Sequence, residues 1–205
     1  MWVALPLCLL STLLATGSAL QCEVCASREQ SCSGPLQPCA PSEGTCITVV
    51  AEMRLDGNSF YYTGKSCLQP KNCEPGPFSL TYPHNVTVLA NIACCDTDGC
   101  NAGAIPVPTV SSVPNGRQCP SFLRVGSYFW NGKGVLACTE DHCVMESGIL
   151  ALGNIILRNT AARCGSPGAC VKRLLLKKYA KGVVEILSQA KCYPAPRAGG
   201  GIGEP

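Results

Sequence analysis

Two adjacent cysteines near the middle of the chain place the strongest constraint on its fold. Residues 93–101 read Ala-Cys-Cys-Asp-Thr-Asp-Gly-Cys-Asn. Cys94 and Cys95 cannot easily bond each other, so they must reach different partners. Cys95 can close a small ring with Cys100, which leaves Cys94 to tie this segment to an upstream cysteine. This segment predicts a fold held by covalent rings, and the amide of Asn101 is suited to bonding backbone groups near it.

The cysteine content predicts an oxidising compartment. The chain has 17 cysteines, one of which, Cys8, lies in an apolar run from Trp2 to Leu14. This run and the small residues after it are typical of a secretory signal peptide, so we expect residues 1–19 to be removed. The run is shorter than a membrane-spanning helix requires. Removing Cys8 leaves an even number of cysteines, as a disulfide framework requires, and we expect a secreted, extracellular protein without a membrane anchor.

The spacing of the cysteines repeats along the chain. The intervals between Cys46, Cys67 and Cys73 recur between the cysteines at 143, 164 and 170, and each position is shifted by 97 residues. A repeated spacing of this kind indicates two copies of one module. We therefore divide the chain into a signal peptide (1–19), a first module (20–101), a partly extended linker (102–116), a second module (117–193) and a Gly/Pro-rich tail expected to be disordered (194–205).

Segments rich in β-forming residues predict hairpins in the first module. Cys46–Leu55 and Ser59–Thr63 flank the turn residues Asp56-Gly57-Asn58. Phe78–Tyr82 and Val86–Ile92 form a second pair on either side of Pro83-His84. Hairpins that project from a cross-linked base follow from this alternation.

The second module repeats this pattern with one ambiguous segment. Met145–Leu152 and Ile155–Arg158 flank Gly153-Asn154, as a hairpin would. Apolar residues of Val171–Ala190 fall at helical spacing, which fits an amphipathic basic helix of the kind that binds membranes. The repeat instead favours a hairpin that turns at Lys181-Gly182.

Charge is divided unevenly between the two halves. Residues 20–106 contain 4 Lys+Arg and 8 Asp+Glu, a net charge of −4, and residues 117–205 contain 12 and 5, a net charge of +7. These sum to the +3 of the whole chain. The second half contains a basic cluster, which consists of Lys172, Arg173, Lys177, Lys178 and Lys181. This cluster is either a solvated hairpin face or a site that attracts an acidic partner or an anionic surface.

The sequence does not indicate catalysis. His142 precedes Cys143, but a Cys–His catalytic pair needs a free thiolate, and we expect this cysteine in a disulfide. Asp96 and Asp98 could bind calcium, yet they offer too few oxygens and are better interpreted as solvated carboxylates. We therefore expect a protein that is not an enzyme.

The sequence predicts a carbohydrate site and no metal site. The Cys22-x-x-Cys25 spacing suits zinc, but neither His84 nor His142 stands at ligand spacing. We expect no metal and no cofactor. Asn85-Val86-Thr87 is a glycosylation sequon, and we expect Asn85 to be modified in a secreted chain.

Several motifs resemble the lymphocyte antigen 6/urokinase-receptor three-finger family. They are the opening Leu20–Cys25, the ten cysteines of the first module, and the closing Cys94-Cys95-Asp96-x-Asp98-x-Cys100-Asn101. Asn115–Pro120 and Cys138–Cys143 resemble the opening and centre of a second such domain. Two domains of this kind without an anchor are similar to the gamma-type phospholipase A2 inhibitors. The resemblance implies an all-β, disulfide-rich fold with two tandem three-finger domains, the second lacking two disulfides.

The resemblance also implies a disulfide pairing. Phe122 and Tyr193 stand where the family has cysteines, so the cysteines missing from the second module disappear as complete pairs. The implied pairs are Cys22–Cys46, Cys25–Cys32, Cys39–Cys67, Cys73–Cys94, Cys95–Cys100, Cys119–Cys143, Cys138–Cys164 and Cys170–Cys192.

The function implied by the resemblance is binding. We expect a secreted protein that inhibits a secreted phospholipase A2 by covering its surface. The alternative is a secreted ligand that modulates a cell-surface receptor without inhibiting the enzyme, and a third possibility is an extracellular interaction module that inhibits nothing. We expect no nucleic-acid partner, and the sequence identifies no residue of the partner interface.

Overall fold

The computed structural model describes residues 19–55, 57–82, 86–152, 155–171, 176–180 and 183–199. These residues form β-strands with one short helix and one 3-10 turn, so the predicted all-β, disulfide-rich class is confirmed. The strands of the first module are β1 (Gln21–Glu23), β2 (Cys25–Ser27), β3 (Leu36–Pro38), β4 (Thr45–Leu55), β5 (Asn58–Leu68), β6 (Gly76–Thr81) and β7 (Thr87–Cys95), with the 3-10 turn at Pro70–Asn72.

The second module contains strands and one short helix. Its elements are β8 (Arg117–Val125), β9 (Tyr128–Cys138), β10 (His142–Leu152), β11 (Ile155–Gly165), α1 (Pro167–Val171), β12 (Leu176–Ala180) and β13 (Val183–Pro194). Strands β1 to β7 include the antiparallel pairs β1–β3, β4–β5 and β6–β7, and strands β8 to β13 include the antiparallel pairs β8–β9, β10–β11 and β12–β13.

The predicted hairpins are confirmed, and the helical alternative is wrong. Strands β4 and β5 pair along their whole length, as do β10 and β11. Within the ambiguous segment, Val171 is the last residue of α1, and the described residues 176–180 and 183–190 belong to the paired strands β12 and β13. Its apolar periodicity is overridden because β13 pairs with β10 as well as with β12. The proposed turn at 181–182 lies outside the described residues.

One sheet runs through both modules. Its strand order is β12-β13-β10-β11-β6-β7-β4-β5-β2, and β8 pairs with β11 and β9 at the side of this path. The modules meet where β11 pairs with β6, through Cys164 opposite Thr81 and Gly165 opposite Leu80. The linker 102–116 contains no strand or helix, and the amide of Asn91 on β7 donates to the carbonyl of Pro106 at 3.0 Å.

Apolar contacts reinforce this junction. Leu80 on β6, Val144 on β10 and Ala169 on α1 form one buried cluster. The backbone N–H of Ser166 donates to the carbonyl of Ser79 at 3.0 Å, and the N–H of Ser79 donates to the Ser166 hydroxyl at 2.9 Å. The modules are therefore joined by packing and hydrogen bonds as well as by the linker.

Cystines form much of the core. A cluster in the first module contains the buried residues Cys22, Cys39 and Cys46, and its counterpart in the second contains Cys119, Cys138, Cys143 and Cys164. Modules of this size bury too little apolar surface to be very stable on packing alone, so the rings supply much of the constraint.

The expected disorder of the tail does not hold for its first residues. Strand β13 extends to Pro194, and Ala195 is 1% exposed inside the cystine cluster of the second module. The guanidinium of Arg117 donates to the Ala195 carbonyl at 2.5 Å, and the N–H of Gln118 donates to the Pro196 carbonyl at 2.9 Å. Ala195 is small enough to pack among the cystines. The prediction of disorder was wrong at this position because the Gly/Pro-rich composition does not reveal such packing. Residues 200–205 lie outside the described part.

Candidate binding surface

The closing segment of the first module holds the two ends of that module together. The carboxylate of Asp98 accepts from the N–H of Gln21 at 2.8 Å, and the N–H of Gly99 donates to the Gln21 carbonyl at 2.8 Å. Asn101 is buried; its Oδ1 accepts from the N–H of Glu23 at 2.8 Å, and its Nδ2 donates to the Glu23 carbonyl at 2.9 Å. Asp98, which the sequence suggested was simply solvated, therefore has a structural partner. Asn101 bonds backbone that is distant in sequence and adjacent in space.

A buried ion pair lies beside this segment. The ammonium of Lys65 on β5 is 2.5 Å from the carboxylate of Glu23, and both residues are buried. Glu23 also accepts from the Ser33 hydroxyl at 2.6 Å and from the N–H of Gly34 at 2.9 Å. These bonds, Lys65 foremost, lower the pKa of Glu23 to about 2, although burial alone would raise it. The pair fixes the first strand to the central hairpin.

The structure brings the predicted cysteine partners together. Its eight disulfides join Cys22–Cys46, Cys25–Cys32, Cys39–Cys67, Cys73–Cys94, Cys95–Cys100, Cys119–Cys143, Cys138–Cys164 and Cys170–Cys192.

The strand registers of the two modules correspond at the positions of the missing cysteines. Cys95 lies opposite Cys46, and Tyr193 lies opposite Cys143. Cys25 lies opposite Lys65 in the first module. In the second module Phe122 takes the place of Cys25, and it lies opposite Ala162, the residue 97 positions after Lys65. The second module therefore keeps the strand pairing where it lacks the rings.

Disulfides occupy the cysteines that could have formed a catalytic or metal site in the described part of the chain. Cys143 is bonded to Cys119, so it offers no thiolate beside His142. Three groups of cysteine sulfurs in the described part of the chain lie within 4.8 Å of one another, but each of these sulfurs belongs to a disulfide. Asn85 and the cluster members Lys172, Arg173 and Lys181 lie outside the described residues.

The tip of the β4–β5 hairpin presents a candidate contact surface. Glu52 on β4 is 5% exposed and accepts from Arg54 Nε at 2.9 Å, Arg54 Nη2 at 3.0 Å and the Ser59 hydroxyl at 2.6 Å. The hydrogen bond from Arg54 is the main reason that the pKa of Glu52 is lowered, and Ser59 adds to it. This ionised network ties β4 to β5 near the turn and so fixes the register of the tip.

Apolar side chains occupy the opposite face of the same tip. Met53 lies directly opposite Phe60, and the two are 40% and 52% exposed. Alternation along a strand places them on the side away from Glu52. Tyr62 and Val88 continue this side as half-buried residues. We call Met53, Phe60, Tyr62 and Val88 the first-finger face. The alternation of side chains along β4 around Met53 was the signal in the sequence that could have indicated this face.

Comparison with known proteins places the chain in a family. The family model of phospholipase A2 inhibitors matches residues 20–102. A phospholipase A2 inhibitor gamma subunit from Elaphe climacophora is 31% identical over 196 residues, which cover 92% of this chain and 94% of the relative. The chain belongs to the phospholipase A2 inhibitor family. The members of this family are named as inhibitors, so it is a family of inhibitors and not of enzymes.

Further relatives match this inhibitor-family chain along most of its length. A phospholipase A2 inhibitor gamma subunit from Gloydius brevicaudus siniticus is 29% identical and covers 91% of this chain and 93% of its own. The inhibitor NAI from Notechis ater is 28% identical, with 92% and 94% covered. Among solved structures, mouse TEX101 matches with a TM-score of 0.39 and 16% identity, over 85% of this chain and 98% of that chain. In the described part of this chain, no helix combines the length and apolar content needed to cross a bilayer.

Proposed function

We propose that this protein is a secreted inhibitor of a phospholipase A2 and that it acts by covering the surface of the enzyme. One observation carries the proposal: a gamma-type phospholipase A2 inhibitor is 31% identical over almost the whole of both chains. The second module is therefore included in the likeness to inhibitors, despite its two missing disulfides.

The first-finger face supports a covering mechanism. Its exposed aromatic and thioether side chains, Phe60 and Met53, are of the types that bury well in protein interfaces. The Glu52 network and the neighbouring β7 hold the hairpin in place, so little conformational entropy is lost on binding. A face of this kind can occlude part of an enzyme without supplying a catalytic group.

Direct binding in the absence of lipid tests the proposal. The purified mature protein is immobilised and exposed to a panel of secreted phospholipases A2, and association is followed by interferometry. We expect saturable binding to at least one enzyme. The variant Met53→Ser/Phe60→Ser should bind that enzyme about tenfold more weakly or worse, because central aromatic contacts typically carry at least this much binding free energy.

A matched variant in the second module serves as the control. Ile149→Ser/Ile156→Ser also removes two exposed apolar side chains from a central hairpin and should leave binding unchanged. If both variants lose affinity equally, or neither does, the first-finger face is not the contact surface. If the wild-type protein binds none of the enzymes, the inhibitor proposal itself fails, and binding to a cell-surface receptor becomes the alternative to pursue.

A further inference from the structure

A second exposed face lies on the fingers of the second module. Arg124 on β8 lies opposite Phe129 on β9 and Thr160 on β11, and Ile149 on β10 lies opposite Arg158 on β11. Positions 156, 158 and 160 of β11 fall on one side of the sheet because side chains alternate along a strand. Five side chains therefore share that side. We call Arg124, Phe129, Ile149, Ile156 and Arg158 the basic–apolar face.

This face is open to solvent. Ile156 is 71% exposed, Phe129 is 52% exposed and Ile149 is 39% exposed. Arg124 and Arg158 are also exposed, and the Arg124 guanidinium stands 5.2 Å from the centre of the Phe129 ring. The basic–apolar face thus combines aliphatic and aromatic side chains with two guanidinium groups, and none of its five residues is acidic.

Backbone register extends the face to the third finger. Position 149 pairs with position 186 on β13, which in turn pairs with position 176 on β12. Position 156 pairs with position 151 on β10, position 151 pairs with position 184 on β13, and position 184 pairs with position 178 on β12. The residues at these positions are Leu176, Ala151, Val184 and Ile186, together with Lys178. Apolar positions thus run across the fingers, with Arg158 at one side and Lys178 at the other.

The charge around this face is strongly one-sided. The described finger segments 123–130, 148–152, 155–160, 176–180 and 183–187 contain Arg124, Arg158, Lys177 and Lys178 against the single acid Glu185. The whole second half carries +7 and the first half −4. An electrostatic field of this sign attracts an anionic surface, and the attraction weakens as salt screens it.

We propose that the basic–apolar face binds the surface of anionic phospholipid bilayers. A bilayer surface offers phosphates in an outer layer and acyl chains directly beneath them. Arg124 and Arg158 can reach the phosphates while Ile149, Ile156 and Phe129 enter the boundary with the acyl chains. An acidic protein would satisfy the charges alone, but it would not account for aliphatic positions continuing across neighbouring fingers. The attachment is peripheral and needs no spanning segment.

Vesicle co-sedimentation without any enzyme tests this proposal separately from inhibition. The mature protein is mixed with vesicles of phosphatidylcholine alone or of phosphatidylcholine with phosphatidylserine. We expect partition to the anionic vesicles at least tenfold stronger than to the neutral ones, and a decrease as salt is raised. Ile149→Ser/Ile156→Ser should weaken the partition about tenfold. Arg124→Gln/Arg158→Gln should weaken it and reduce its salt dependence.

The control variant is Met53→Ser/Phe60→Ser, which should partition as the wild type does. An aromatic exchange, Phe129→Trp with Trp130→Phe, places a fluorescent reporter on the face. Its emission should shift to shorter wavelength on anionic vesicles and be quenched by brominated acyl chains.

Three results would overturn the proposal. They are equal partition to neutral and anionic vesicles, wild-type partition by both variants of the face, and an unshifted reporter on protein that has bound. A protein that binds vesicles but no phospholipase A2 would support this inference and defeat the inhibitor proposal.

Discussion

Glu23 shows how a charge is tolerated in the interior of the first module. Its carboxylate receives hydrogen bonds from the side chains of Lys65 and Ser33 and from the backbone of Gly34. A buried charge is stable only when its partners compensate for lost hydration, and these three do so. The same bonds explain why the pKa of Glu23 falls to about 2 in spite of burial.

The stability of the first module should therefore depend on pH in a defined window. The folded pKa of Glu23, about 2, lies below the ordinary value of 4.5, so the folded state binds fewer protons between these values. Stability from this group is complete above about pH 4.5 and is lost as pH falls towards 2. Thermal unfolding followed across this range should show a falling midpoint.

The variant Glu23→Gln isolates the effect. It should flatten the part of the pH dependence that lies between pH 4.5 and 2. At neutral pH it should destabilise the protein by about 3 kcal/mol or more, because it leaves Lys65 buried without its counter-charge. An unchanged slope in this window would show that Glu23 is not the titrating group.

Local chemistry made some residues predictable and left others hidden. The Cys95–Cys100 ring follows from short spacing, and the backbone-bonding role of Asn101 follows from its amide. The Glu23–Lys65 pair joins residues far apart in sequence, so no local pattern could indicate it. The role of Asp98 was misjudged for the same reason, because its partner Gln21 lies at the other end of the module.

At the scale of elements, periodicity and repetition predicted the central hairpins. Strands β4 and β5 and strands β10 and β11 carry alternating β-rich segments, and the repeat resolved the ambiguous β12–β13 segment correctly. The junction of β6 with β11 was not predictable, since only two residue pairs form it and they lie more than 80 residues apart in sequence. The packing of Ala195 depends on space between distant cystines, which composition does not reveal.

Helix α1 and strand β6 approach each other closely at this junction. A Cβ on Gly168 of α1 would lie 2.2 Å from the carbonyl oxygen of Pro77 on β6. Gly168→Ala should therefore force α1 away from the first module and destabilise the junction by about 1–3 kcal/mol. Small-angle scattering should report a larger radius of gyration, and elastase should cleave the linker 102–116 faster.

Gly44→Ala provides the matched control for this change. Its added Cβ would meet a side-chain carbon of Pro70 at 3.4 Å, an ordinary contact, away from the junction. We expect its scattering and cleavage to match those of the wild type. If Gly168→Ala behaves in the same way, the contact between α1 and β6 does not hold the modules together.

At the scale of the whole molecule, the modules present different surfaces. The first has a net charge of −4 and carries Met53 and Phe60 on a hairpin tip, whereas the second half is strongly basic and exposes Ile149 and Ile156 among arginines. Because one sheet connects the modules, the two faces are held in a common framework. An inhibitor built in this way could meet an enzyme with one face and a lipid surface with the other.

The most direct test of enzyme masking is inhibition of a secreted phospholipase A2 on a soluble, monomeric substrate. Such a substrate removes the bilayer, so coating of a lipid surface by the second module cannot lower the rate. Masking of the enzyme predicts a saturable fall in rate with wild-type protein and a weaker fall with Met53→Ser/Phe60→Ser. An unchanged rate across a panel of these enzymes at micromolar protein would contradict it.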